Sequence, residues 1–438
     1  MIESMALLFW GHRNFRDGPF LFLAGCMGQE GVKGVKSIVV VSKGKDPFRT
    51  TERVLQAFPL PDLKGKNVLI KPNAARLAFP GEGVTTHPSV VAATIKHLKK
   101  QGAGRIVIGE SCIFGVDAQE AFRVTGMKEV SEENRVELVD LDQGAPMEIA
   151  IPGGRVIKKI KVPALLKEFD FIVSIPVMKT HMHTQVTLSV KNMKGLLWRR
   201  EKARFHQLRY DRKVTEGHKE LDIAISEMAS VLSPHLAIID GTVGMEGMGP
   251  AYGRRKKMGV IIAGHHALSA DGIAARLMGL NPETIPHLKL SAEKGLGEVR
   301  WRRISVEPKD FLKWETSFAP PPSQLSIPYP DVMVYDEGSC SACLSTLLVF
   351  LNDYHSRLTD YHLSDGKIHM GIGKNLSGCP KGTLLIGNCT SKMKRTGVFV
   401  QGCPPVASHI WETLSGEKGE GDMGGWGDGD AGAKRNNC

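Results

Sequence analysis

Along most of the chain, short β-branched runs alternate with longer stretches of helical spacing. This is the pattern of an α/β domain whose parallel strands are buried on both faces. Strands are predicted at 37–41, 67–70, 105–108, 136–139, 171–175, 236–239 and 259–262. Between the second and third, a helix over 88–101 begins with Pro88 behind Thr86-His87, sets Val91, Ile95 and Leu98 on one face and stops at Gly102. Residues 147–151 and 156–160 flank Pro152-Gly153-Gly154 and predict a β-hairpin inserted in the sheet domain. The expected architecture is a mainly parallel, Rossmann-like sheet domain over 35–318, followed by a Pro-rich linker over 319–328. A small cysteine-rich α+β domain over 329–415 comes next. An N-terminal extension (1–34) and a disordered Gly/Asp-rich tail (416–438) complete the 438 residues.

Cysteine usage changes this picture most. Between Met27 and Ser339 the only cysteine is Cys112, whereas Cys340, Cys343, Cys379, Cys389 and Cys403 crowd the last quarter. Without a clear export signal, closely spaced thiols read as metal ligands rather than disulfides. Cys340-Ser-Ala-Cys343 places two sulfurs on one turn, and two of the remaining cysteines, Cys379 and Cys403, are preceded by glycine and followed by proline, which suits a [4Fe-4S] cluster. The expected ligands are Cys340, Cys343, Cys389 and Cys403, with Cys379 as a substitute or redox partner. Zinc is the alternative metal.

Charge points to an anion. The chain carries +11 at pH 7, its densest basic stretch running from Lys191 to Lys213, but no nucleic-acid-binding signature accompanies it, and nucleic acid is the weaker reading. No apolar run is long enough to span a membrane, and the expected location is the cytoplasm. Residues 19–26 also resemble a lipoprotein cleavage box ending at Cys26, an alternative that would export the protein.

Ligands of open α/β sheets bind beyond the carboxyl ends of the strands, and here those positions are polar. They supply Lys71 and Asn73, Glu110, Lys179, His181 and His183, and Asp240, with His87 ahead of the helix and Lys191 and Asn192 close by. Lys179, His181, His183 and Lys191 are the candidate catalytic groups. Lys71, Asn73, His87, Glu110, Asn192 and Asp240 are the candidate substrate-binding groups. His181 and His183 share one face if extended, placed to bind a metal, move protons or hold a carboxylate. The loop Gly244–Pro250 offers backbone N–H groups to an anion.

The motifs Lys71-Pro72-Asn73, Thr86-His87-Pro88, Gly109-Glu110-Ser111, Lys179-Thr180-His181, Lys191-Asn192 with Gly195, and Asp240-Gly241 together resemble the bacterial and archaeal family known as domain of unknown function 362, over roughly 35–297. The resemblance implies iron-sulfur ligation through the C-terminal cysteines, although the chain lacks the C-x2-C-x2-C-x3-C-P run of ferredoxins, so one cluster is expected. The strand-end His and Lys residues are similar, more faintly, to the nickel-pincer lactate racemase family, from which no cofactor or residue role is carried over. The resulting expectation is a [4Fe-4S]-dependent oxidoreductase acting on a small anionic metabolite, with an electron-donor protein such as a ferredoxin as partner. The alternatives are a non-redox iron-sulfur lyase or isomerase, and a non-catalytic carrier or assembly protein.

Overall fold

The computed structural model describes residues 37–321 and 329–416, apart from Phe114, Arg200, Arg209 and Asp211. The predicted N-terminal extension, Cys26, most of the linker and the tail beyond Gly416 lie outside the described residues. Contacts divide the chain into two units, with the boundary between Ser323 and Gln324.

The first unit is built on one mixed, mostly parallel sheet. Its strands are β1 (Ile38–Lys43), β2 (Asn67–Pro72), β3 (Arg105–Glu110), β4 (Glu137–Asp140), β7 (Phe171–Ile175), β10 (Leu236–Glu246), β11 (Arg254–Gly264) and β12 (Ser305–Glu307), ordered β12-β1-β11-β10-β7-β2-β3-β4. From β10 to β4 every neighbour is parallel, while β11 runs antiparallel to both β1 and β10. Period-two alternation sends Leu69, Val107, Ile172 and Ile239 into the apolar layer on one face. Val68, Ile70, Ile106, Ile108, Val173 and Ile238 enter the layer on the other. Both faces are therefore covered, which is why these strands read as continuous apolar runs. The helix predicted from Pro88 runs Pro88–Lys100, with the His87 imidazole capping Ser89 N–H and Val90, Val91, Ile95 and Leu98 buried.

Two local features depart from expectation. The hairpin strands β5 (Pro146–Ala150) and β6 (Lys159–Pro163) pair only with each other, and the second begins three residues later than predicted, with Ala150 opposite Lys159. The connection is long because the Glu227 carboxylate gathers the backbone N–H groups of Arg155, Val156 and Ile157, drawing them away from any ladder. The segment after β7, for which no separate strand is predicted, forms two further strands. Pro176 interrupts the chain, and β8 (Val177–His181) continues alongside the long β10, with β9 (Gln185–Thr187) folded back on it. The glycine loop after β10 holds this extension: its Gly247 and Gly249 carbonyls accept from Thr180 Oγ1 and Met182 N.

The second unit has four strands, β13 (Val332–Asp336), β14 (Ile368–Ile372), β15 (Leu384–Ile386) and β16 (Val398–Val400), adjacent in chain order. All are parallel, so the unit is α/β and not the α+β domain expected. Its core joins Val332, Met370, Ile372 and Ile386 to Leu347, Phe350 and Leu351 of helix Ser341–Tyr354 and Trp411 of helix Ala407–Ser415.

No helix among the described residues is long and apolar enough to cross a membrane.

Candidate functional site

The carboxyl ends of β2, β3 and β7 meet a short helix, Ser189–Asn192, in a buried polar floor. Lys71 Nζ lies 2.8 Å from both carboxylate oxygens of Glu110 and donates to Asn192 Oδ1 at 3.2 Å and Pro72 O at 2.7 Å. Glu110 also accepts from Ala74 N and Ser111 N, and the Asn192 amide reaches Lys71 O and Ser174 Oγ. An ion pair removed from water holds only with such saturation, since unshared charges at this depth are strongly disfavoured. Gly195 is required here. A Cβ on it would lie 2.5 Å from Lys71 Cε and 2.6 Å from Nζ.

Two more carboxylates brace the strand ends from inside. Asp240 is buried and accepts from His87 N, Thr242 N and Thr242 Oγ1, which ties β10 to the start of helix Pro88–Lys100. Burial pushes its carboxyl above the usual range. Asp271, fully buried, accepts from Ser189 N and Val190 N and so caps the helix that carries Lys191 and Asn192. Burial pushes its carboxyl up to about 8 against those two donors.

Over this floor stands a group of bases, with the buried Asp222 as the acidic neighbour that raises Lys191. Lys179 on β8 is buried and donates to Val84 O at 2.7 Å. Lys194 Nζ is 2.7 Å from His206 Nε2. The rings of His181 and His183 are 5.6 Å apart, and those of His183 and His206 are 6.1 Å apart. Among the described residues, none of Arg76, Lys179, Lys191 and Lys194 forms an ion pair with a carboxylate. Burial first, and mutual repulsion second, hold these groups toward neutrality. Lys179 and Lys194 fall well below the ordinary ammonium value, and Lys191 is pushed down to about 7 with Arg76 as its main repelling neighbour. His181 and His206 lie well below the ordinary imidazole value, and His183 falls to about 3. Because His183 N–H donates to His181 Nδ1 at 3.1 Å, the neutral His181 carries its proton on Nε2.

Several polar atoms beside these bases are buried without a hydrogen-bond partner, among them Asn73 Oδ1, Thr187 Oγ1 and Ser189 Oγ. Thr187 stands directly opposite Lys179 in the β8–β9 ladder and so shares its face. Lys202, also from the basic stretch, pairs with Asp142 at 3.0 Å and bonds Ser111 Oγ and Cys112 O at the β3 end. A separate surface groove of about 680 Å³, lined in part by Phe48, Phe79, Pro88 and Arg123, contains none of the basic group.

The sequence places Lys71, Glu110, Lys179, His181 and His183 at strand ends with Lys191 and Asn192 close by, and the fold brings them together. Asn73 and His87 lie at the rim, bonded through their backbones to Thr86 and Asp240. Sequence reasoning missed Arg76, His206, Asp271 and the role of Gly195. Arg76 was legible as a base four residues past the end of β2, but Asp271 sits within the predominantly apolar helix Ala267–Leu277 and gave no signal.

Among the described residues of the second unit, every cysteine follows a strand. Cys340 and Cys343 come after β13, Cys379 after β14, Cys389 after β15 and Cys403 after β16. As the four strands are parallel, all five leave from the same edge. Cys343 is buried, Cys340, Cys379 and Cys389 are half-buried, and Cys403 is exposed. A hydrogen bond with Cys340 first, burial second, and the nearby Cys389 and Cys403 raise the Cys343 thiol far above its ordinary value. Gly387, at φ +91°, keeps room beside it: a Cβ there would meet Cys343 Sγ at 3.2 Å. Among the described residues, no group of three or more His, Cys, Asp or Glu side chains converges on a position for a single ion. A zinc ion draws four sulfurs to about 2.3 Å of one centre, whereas a cluster spreads its thiolates over separate irons. The neighbouring thiols and the glycine clearance fit the second requirement.

The class these features define is an α/β protein whose strand ends carry chemistry-bearing side chains. The family model described as a domain of unknown function (DUF362) matches residues 68–276. A thylakoid-associated protein of Synechocystis sp. is 26% identical over 239 residues, which is 53% of this chain and 69% of the relative. Two solved structures are similar at low identity. The lactate racemase apoprotein from Thermoanaerobacterium thermosaccharolyticum has a TM-score of 0.35 at 15% identity, covering 59% of this chain and 57% of its own. A Thermotoga maritima protein has a TM-score of 0.34 at 14% identity, covering 57% and 60%. The chain therefore spans less than two thirds of either solved structure.

Proposed function

We propose that this protein is an iron-sulfur oxidoreductase that binds a small anionic metabolite at the strand ends of the first unit. The observation that carries the reading is the gathering of Arg76, Lys179, Lys191 and Lys194 without a carboxylate partner. Cations brought together out of water destabilise the fold unless a ligand supplies the missing negative charge. Arg76 presents a planar fork to a carboxylate or phosphate, and the lysines add point charges. The neutral His181 offers Nε2–H to a substrate oxygen, as a hydrogen-bond donor or a proton source. The Lys71–Glu110–Asn192 floor keeps the backbone of these groups in register.

In the second unit Cys340, Cys343, Cys389 and Cys403 would hold a [4Fe-4S] cluster, with Cys379 available as a replacement ligand. A bound cluster of this type supplies single electrons. A small acidic ferredoxin suits as donor to a protein of charge +11.

Iron, acid-labile sulfide and EPR spectra on protein purified without oxygen test the cofactor. Titration with small carboxylates, read as a rise in melting temperature, tests the cleft. The expected results are about four irons and four sulfides per chain, as one [4Fe-4S] cluster requires, and a rise abolished in Lys179→Met. One zinc without sulfide would overturn the redox assignment, and no response to any anion would overturn the cleft.

A further inference from the structure

One amine of the basic cleft differs from the others in its local contacts. Lys179 donates to Val84 O and Lys194 is bonded to His206, whereas Lys191 makes no hydrogen bond or ion pair among the described residues. Its backbone is fixed on both sides. Asp271 caps the two residues before it, and Asn192 after it is locked to Lys71 and Ser174. An amine held in place, withdrawn from water and set beside other cations is in the setting that turns lysine into a nucleophile. The chemistry that answers such an amine is a carbonyl, and the surrounding groups suit one. Arg76 also lacks an anionic partner, and His181, whose Nδ1 accepts from His183 N–H, keeps Nε2–H as a donor. Thr187 and Ser189 hold buried hydroxyl oxygens with nothing bonded to them.

We propose that Lys191 forms a Schiff base with a 2-oxo carboxylate whose carboxylate is held by Arg76. The proposal rests on the anion cleft argued above and narrows its substrate class. The Lys191 Nζ lone pair adds to the carbonyl carbon and a proton from that nitrogen passes to the carbonyl oxygen, which accepts a hydrogen bond from His181 Nε2–H; one further proton, taken from solvent, is needed to release the oxygen. The resulting carbinolamine loses that oxygen as water and leaves an iminium. No oxidant or reductant is consumed, and hydrolysis reverses the step. Burial and Arg76 push the Lys191 ammonium down to about 7, so much of the amine is free near neutral pH.

The test is reductive trapping on the full-length protein. Pyruvate and 2-oxoglutarate are each added with sodium borohydride, with succinate as a carbonyl-free control, and the adduct is located by intact mass and peptide mapping. One reduced adduct per chain on the peptide carrying Lys191, from at least one oxo acid, is the expected result. Lys191→Arg should abolish it. No adduct from either oxo acid, or label spread equally over surface lysines in the unaltered chain, overturns the proposal without reliance on any variant. A parallel melting series separates the two readings. If succinate and the oxo acids raise the melting temperature but nothing is trapped, the anion cleft stands and the Schiff base falls. If no anion raises it and nothing is trapped, both fall together.

Discussion

The two units place reactive side chains at the same topological position, the carboxyl edge of parallel strands, yet fill it with opposite chemistry. The edge of the larger sheet gathers ammonium, guanidinium and imidazole groups over a saturated Lys71–Glu110–Asn192 floor. The edge of the smaller sheet gathers five cysteines. Charged groups brought together repel one another and resist leaving water, so the first edge needs the buried braces Asp240 and Asp271. Protonated thiols carry no such penalty, and the second edge needs little beyond clearance at Gly387. Altering the first edge should therefore register in stability and pH dependence, and altering the second in metal content.

The largest expected effect tests the cysteine side of that contrast. Cys343→Ala should bring iron and labile sulfide to background while the far-ultraviolet circular dichroism of the chain stays unchanged. Iron retained at the level of the unaltered protein would remove Cys343 from the ligand set. On the other side, Lys71→Met strands the Glu110 carboxylate in a buried position, and losing one partner of a buried pair costs about 3–5 kcal/mol. Denaturant titration checks this, and a loss under about 1 kcal/mol would show that the floor is not what holds the edge together. Gly195→Ala should come next, at about 1–3 kcal/mol, because the new methyl meets a lysine side chain pinned at its far end. A compensating rise in anion affinity would instead place the added methyl against the ligand.

Those residues also mark how far the sequence could be read. The mostly parallel sheet was legible because β2, β3, β7 and β10 are buried on both faces and carry near-continuous apolar runs such as Val68–Ile70, Ile106–Ile108, Phe171–Val173 and Leu236–Ile239. β8 and β9 were not, since Val177–His181 and Gln185–Thr187 are short and carry the polar groups of the site. The four parallel strands of the second unit were hidden for a related reason: two have three residues each, too few to display a period. In the site, Lys71, Glu110 and Lys179 stood out as polar residues ending apolar runs. Asp271 did not, because its partners Ser189 and Val190 lie about 80 residues away and the pairing exists only in the fold. The parallel edge that unites the cysteines was invisible while the strands before Cys379, Cys389 and Cys403 went unrecognised.

The smallest effect is the pH dependence contributed by Lys191, and its sign follows from the direction of the shift. Its folded value is about 7, below the ordinary lysine value of 10.5. Between those limits the unfolded chain binds more protons than the folded one, so the stability of the metal-free protein should rise with pH across that window. Acidification below it leaves Lys191 charged in both states, with its full penalty imposed on the fold. Lys191→Met should flatten the rise between pH 7 and 10 and increase stability near pH 6, by about 1 kcal/mol, because a methionine of similar length keeps the packing and removes the charge. The effect is kept modest by Asp222, whose charge favours the Lys191 ammonium against burial and Arg76. Saturating anion should flatten the profile of the unaltered protein in the same way, by supplying the counter-charge that the fold omits. Melting curves at half-unit pH intervals, with and without ligand, decide this: parallel profiles for the unaltered and Lys191→Met proteins would mean that Lys191 is solvated, and the proposed nucleophile would lose its desolvated setting.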